Sequence, residues 1–173
     1  MPNLIPVLDK NIIAEKVEKI AHQISLDYKD SDLVLVGVLK GAFIFMADLL
    51  RQLQVNRLTI DFVRIASYGQ TAETSGNITL LKDLETDIKG KDILIVEDIL
   101  DSGLTLSYLK QHLQTFNPRT VRICVLIDKY ERRQANIQAD YVCHSIKEGF
   151  LVGYGLDYAE AYRNLPGIFT LNF

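Results

Sequence analysis

The chain has 173 residues, of which 48% are hydrophobic and 24% charged, and a formal net charge of −3. That length fits one domain with a core of its own, and the composition excludes a disordered or fibrous chain. An acidic balance without a basic stripe argues against a nucleic-acid partner.

The N-terminus, MPNLIPVLDK, lacks the basic-then-apolar pattern of a secretory signal. From Asp9 to Tyr28, apolar residues fall at Ile13, Val17, Ile20 and Ile24, with Lys and Glu between them, which predicts an amphipathic helix. The longest apolar stretch, Leu33 to Leu50, contains Gly37, Lys40, Gly41 and Asp48. A bilayer span would bury Lys40 near its centre, at a cost of about 2.5–3.5 kcal/mol even on lenient scales. The stretch therefore reads as a strand (33–39), a loop and a helix (42–53), and no membrane contact is expected. The run LVLVGVL suits a strand covered on both faces, as in parallel sheets.

Residues 58–65 alternate like a strand. Ser67 to Asn77 (SYGQTAETSGN) is polar and glycine-containing, and a loop of that length in a compact domain is usually functional or disordered. A returning strand is expected at 78–81. ILIV at 93–96 is a second buried strand, followed by EDILDSG and a helix through Leu104, Leu106, Leu109 and Leu113. Further strands are expected at 121–127 and 141–146, a short one at 151–156, and a turn or short helix at 157–164. Strands alternating with helices place the chain in the α/β class with a mostly parallel, twisted sheet flanked by helices. No linker or repeat interrupts it, so residues 1–173 read as a single domain. Cys124 and Cys143 lie in apolar runs without metal spacing, and read as buried reduced thiols of a cytoplasmic protein.

Ligands of open α/β sheets bind beyond the carboxyl ends of the strands. At the end of the 93–96 strand stand Glu97, Asp98 and Asp101, then Ser102, Gly103, Leu104 and Thr105, which open a helix. Free amides at a helix N-terminus, a glycine and hydroxyls suit a phosphate. The carboxylates would repel one. They fit instead sugar hydroxyls, or a divalent cation shared with phosphates, since Mg²⁺ is held by one or two carboxylates plus substrate phosphates. Together these features describe a phosphorylated sugar. The alternative is an acidic capping cluster on a surface helix. A Walker A loop is absent.

The run VEDILDSGLTL closely resembles the phosphoribosyl-diphosphate motif of the type I phosphoribosyltransferases. The rest of the chain is similar to their hypoxanthine-guanine branch, in matching order from Leu33 to Arg163. Leu39-Lys40-Gly41 resembles the diphosphate loop, Ser67-Tyr68-Gly69 the start of the mobile lid, Lys129 the base-reading lysine, and Phe150 to Tyr158 with Arg163 the purine and diphosphate segment. The resemblance implies a small hood built from the terminal segments, a cis peptide at Leu39–Lys40 and a homodimer or homotetramer. It implies that Glu97 and Asp98 hold the ribose and a nearby metal, and that Asp101 is the general base or acid facing purine N7. Ser102, Gly103, Leu104 and Thr105 would wrap the 5′-phosphate, Leu104 through its backbone alone. Lys40, Gly41 and Arg163 would take the diphosphate. Lys129 would donate to the 6-oxo group, Phe150 would stack on the base, Leu151 would read its edge, and Asp157 would ligate a second Mg²⁺ or lie beside it. The implied reaction joins hypoxanthine or guanine to 5-phosphoribosyl 1-diphosphate under a lid over Ser67–Thr79. Glu131–Arg133 reads as a charged turn, and His22, His112 and His144 receive no role. A nucleotide-sensing regulator and a xanthine preference are the competing readings.

Overall fold

The computed structural model describes residues 3–68 and 77–172. Six strands form the main sheet: β2 (Asp32–Leu39), β3 (Arg57–Tyr68), β4 (Asn77–Lys82), β5 (Asp92–Leu100), β6 (Thr120–Lys129) and β7 (Tyr141–Ile146). Their spatial order is β4-β3-β2-β5-β6-β7, parallel throughout except for β4, which returns antiparallel to β3. Three helices flank the sheet: α1 (Lys10–Asp27), α2 (Phe43–Gln52) and α3 (Leu104–Gln114).

The expected continuous apolar runs arise because both faces are covered. Along β2, Leu33 and Leu35 join one core cluster with Ile13, Val17 and Ile24 of α1 and Phe45, Met46 and Leu49 of α2. Val34, Val36 and Val38, alternating with them, join the other cluster with Leu106, Leu109 and Leu113 of α3. Each fully buried aliphatic side chain contributes about 1.5–3 kcal/mol relative to exposure. The first helix begins one residue later than its periodicity predicts because Asp9 is its cap: the carboxylate accepts the N–H groups of Asn11 at 2.8 Å and Ile12 at 3.0 Å.

A second sheet joins the chain ends. β1 (Asn3–Leu8) and β8 (Leu151–Val152) both pair antiparallel with β9 (Ile168–Asn172), in the order β1-β9-β8. This is the hood that the resemblance implies, although local patterning predicted neither β1 nor β9. One other expectation needs correction. The short strand expected over 151–156 stops at Val152, because Gly153 and Leu156 close on each other in a turn through reciprocal backbone bonds of 2.9 and 3.1 Å. Of the two alternatives for residues 157–164, the structure has the turn; Ala159, Glu160 and Tyr162 all have positive φ, which a right-handed helix excludes.

Parallel strands end on the same edge of a sheet. The carboxyl ends of β2, β5 and β6 therefore present Lys40, Asp101 and Lys129 side by side, and the chain carries its unusual residues there.

Candidate active site

Strand register sets the geometry. Leu100 of β5 pairs with Asp128 of β6, so the next residues on each strand, Asp101 and Lys129, are neighbours. Lys129 is 5% exposed, and its ammonium lies 3.2 Å from Asp101 Oδ2, donates to the Gly149 carbonyl at 3.2 Å and lies 3.7 Å from Glu131 Oε2. The other carboxylate oxygen, Asp101 Oδ1, is buried and has no hydrogen-bond partner among the described residues. An unpaired buried acceptor is rare and calls for a functional explanation.

The Glu97–Thr105 segment forms one concave wall, as its sequence suggests. Glu97 to Gly103, with Thr105 and Leu106, line a cavity of about 220 Å³. Gly103 sits at the α3 N-terminus with φ 79°, and an added Cβ would lie 2.7 Å from Ile137 Cγ2. Only glycine satisfies both restrictions. Ser102 Oγ accepts the Leu104 N–H at 3.3 Å, while the Leu104 side chain is exposed, consistent with a backbone role.

Glu97 and Asp98 are adjacent carboxylates in a poorly hydrated place. Burial, and then the charge of Asp98, push the Glu97 carboxyl well above the usual range. Burial also raises Asp98, against a hydrogen bond from Glu97 and the Arg163 charge. Two such groups are costly to ionise together, and a hard cation or hydroxyl donors would relieve the cost. Adjacent carboxylates are the donor type of a hard cation such as Mg²⁺, which is held by one or two carboxylates and completes its shell with ligand and water oxygens.

The β2 loop faces this pair. The Leu39–Lys40 peptide is cis. A Cβ on Gly41 would fall 1.8 Å from Asp98 Oδ2, and one on Gly155 would fall 2.2 Å from the Gly41 carbonyl oxygen. The Gly41 and Gly155 backbones and the Asp98 carboxylate therefore meet in close contact.

Arg163 reaches the same place. It donates to the Gly155 carbonyl at 2.7 Å and pairs with Asp157 at 2.8 Å, while its Nε is buried without a partner. Asp157 also accepts the Glu160 N–H at 2.8 Å. Glu160 in turn lies 3.0 Å from Lys40 Nζ and 3.5 Å from Arg163 Nη2. Phe150 is half-exposed, edge-on to Tyr158 at 5.5 Å between ring centroids, and directly follows the carbonyl that Lys129 binds. Leu151 is buried in the hood and pairs with Thr170 of β9.

The residues expected to form a site thus share one strand-end edge. Ser67 and Tyr68 end β3, paired with Ile78 and Asn77 of β4. The lid expected over Ser67–Thr79 falls mostly on residues 69–76, which lie outside the described residues.

One residue of the charged turn corrects its reading. Arg133 points inward and donates to the carbonyls of Asp101 (2.9 Å), Lys129 (3.0 Å), Ile137 (3.1 Å) and Leu100 (3.2 Å), and to the Asp128 carboxylate. It ties the Asp101 turn to the strand end that carries Lys129. Nothing in the run Glu131-Arg132-Arg133 distinguishes the inward arginine from its neighbours.

A family model for the phosphoribosyl transferase domain matches residues 6–159. The hypoxanthine phosphoribosyltransferase of Escherichia coli (strain K12) is 48% identical over 158 residues, covering 90% of this chain and 88% of its own. The hypoxanthine-guanine phosphoribosyltransferase of Bacillus subtilis (strain 168) is 44% identical over 165 residues, covering 95% of this chain and 91% of its own. A crystal structure of a hypoxanthine phosphoribosyltransferase from Staphylococcus aureus superposes with a TM-score of 0.92 at 42% identity, over 96% of this chain and 90% of that one. Likeness of this extent, in sequence and backbone together, places the chain in the phosphoribosyl transferase family.

Proposed function

We infer that this chain transfers the 5-phosphoribosyl group from 5-phosphoribosyl 1-diphosphate to N9 of hypoxanthine, and of guanine, giving the nucleoside monophosphate and pyrophosphate. This is a purine-salvage reaction. The observation that carries the reading is the Asp101 carboxylate, with one oxygen on Lys129 and the other buried without a partner, at the rim of the Glu97–Leu106 cavity.

In the reaction the C1–O bond to the diphosphate breaks and the C1–N9 bond forms. The purine N7 proton passes to Asp101 Oδ1, the acceptor left unpaired. Lys129, a donor without an acceptor atom, takes the 6-oxo group and disfavours the 6-amino group of adenine. Phe150 covers the base, and the Leu151 backbone meets its edge. Glu97 and Asp98 hold the ribose hydroxyls, and the α3 amides with Ser102 and Thr105 hold the 5′-phosphate. Lys40, the Gly41 backbone and Arg163, whose Nε is an unused donor, receive the diphosphate. Glu97, Asp98 and Asp157 would hold Mg²⁺ together with ligand oxygens, and the ion would supply neutralising charge for the leaving diphosphate. Ser67 and Tyr68 belong to the lid in this reading.

In this reading residues 1–173 form one working unit in the cytoplasm, with Cys124 and Cys143 buried and reduced. No helix among the described residues is long and apolar enough to cross a membrane. The unit assembles as a homodimer or homotetramer, which gives a use to the exposed Ile60 and Leu81 on β3 and β4.

Steady-state assays with hypoxanthine, guanine, xanthine and adenine test the reading. Hypoxanthine and guanine turn over, and adenine turns over at least about a hundredfold more slowly, as expected when a buried polar group must find its partner. Tight ligand binding without turnover of any base would make the chain a nucleotide-sensing regulator and overturn it.

The glycine contact gives a second test. The three atoms nearest to a Cβ at Gly41 all belong to the Asp98 carboxylate, so Gly41→Ala must turn that side chain away. The variant is expected to fold. Its KM for phosphoribosyl diphosphate rises about tenfold, some 1.4 kcal/mol, while that for hypoxanthine moves little. Equal effects on both substrates would remove Gly41 from the diphosphate site.

A further inference from the structure

The two cations assigned to the diphosphate already converge on one acid. Lys40 Nζ lies 3.0 Å from Glu160 Oε2, and Arg163 Nη2 lies 3.5 Å from the same oxygen. These cations belong to segments far apart in sequence, the β2 loop and the last turn before β9. A single carboxylate oxygen marks the point where both can serve an anion. The turn that delivers it is shaped for the purpose. Ala159, Glu160 and Tyr162 all have positive φ, an uncommon conformation for residues other than glycine. The Glu160 N–H is held by Asp157 Oδ2 at 2.8 Å, and Asp157 Oδ1 is held by Arg163.

We propose that Glu160 is an internal competitor for the diphosphate subsite: its carboxylate must leave Lys40 and Arg163 before an incoming diphosphate can engage both, so it sets the affinity of that subsite. The inference rests on the assignment of Lys40 and Arg163 to the diphosphate. Glu160 acts through the two cations, which its carboxylate engages directly. It sets a threshold that a weakly charged anion does not pass, since the ligand must out-compete a carboxylate already paired twice.

The test is calorimetric titration of the full chain with magnesium pyrophosphate at fixed ionic strength. Glu160→Gln keeps the size of the side chain and removes its charge. As the side chain is exposed and its backbone bond is retained, folding is unaffected. The variant binds pyrophosphate roughly threefold or more tightly, the scale of releasing exposed ion pairs. Lys40→Ala weakens binding, and Glu160→Gln added to it recovers less than in the wild-type background. An unchanged or weaker affinity in Glu160→Gln, with Lys40→Ala still weakened, overturns the competitor role alone. No effect of Lys40→Ala refutes the diphosphate assignment itself. An equal gain in both backgrounds marks a diffuse charge effect and also overturns the proposal.

Discussion

Asp101→Asn lowers kcat by at least about a hundredfold, the lower end of what a positioned acid–base group contributes. Asn has nearly the shape of Asp, so the substitution changes proton-accepting power and charge while leaving the volume. The oxygen at stake is Oδ1, buried and without a hydrogen-bond partner among the described residues. Its position is fixed from two sides: Lys129 holds Oδ2 at 3.2 Å, and Arg133 holds the Asp101 carbonyl at 2.9 Å. An amide there can donate or accept a hydrogen bond, but it cannot take up the purine proton. Folding survives because Lys129 keeps the Gly149 carbonyl and the nearby Glu131. The expected pattern is a collapsed kcat with a melting temperature within a few degrees of the parent. An unchanged kcat would take Asp101 out of the chemistry. A large fall in melting temperature would show that the Lys129 pair is chiefly structural.

How much of this was legible in the sequence depended on how local the signal was. The β5–α3 segment declares itself within thirteen residues: a buried apolar run, acids that a core strand does not tolerate, then a glycine and hydroxyls at a helix start. Parallel register brings Asp101 to Lys129, whereas in the sequence only the resemblance gave Lys129 a role. The hood was not legible locally. Asn3 of β1 pairs with Asn172 of β9, and neither short segment alternates clearly enough to announce a strand. Residues 157–164 carry no hydrophobic period, because their shape comes from the bonds among Asp157, Glu160 and Arg163. Arg133 and Glu160 escaped for a related reason. A charged residue on a loop looks solvated in sequence, and only the packing of distant segments turns it inward or across the site. The resemblance supplied the hood, but it gave neither of these two residues a role.

Arg133 is where that gap has the largest structural consequence. Its guanidinium uses its fork on four carbonyls and one carboxylate, and its side chain is 19% exposed against 11% for Asp128. Arg133→Met leaves the Asp128 charge buried without its partner and frees carbonyls on both catalytic strands. Removing one member of such a pair costs about 3–5 kcal/mol. Urea denaturation followed by circular dichroism should show a loss of that size. Arg133→Lys restores the charge toward Asp128 but cannot reproduce a planar fork with five donors, so it recovers stability only in part. The kinetic readout separates scaffold from site. The same guanidinium binds the Asp101 and Lys129 carbonyls, so Arg133→Lys, assayed where it is fully folded, loses kcat more than it raises the KM for phosphoribosyl diphosphate. A further variant checks the electrostatic origin. Adding Asp128→Asn to Arg133→Met neutralises the stranded carboxylate and returns part of the lost stability, because much of the cost was an uncompensated buried charge. If Arg133→Met unfolds within about 1 kcal/mol of the parent, the clamp contributes little, and rigidity of the Asp101 turn must come from the bonds of Gln134 and Ala135 N–H to the Ser102 carbonyl, at 2.9 and 3.0 Å.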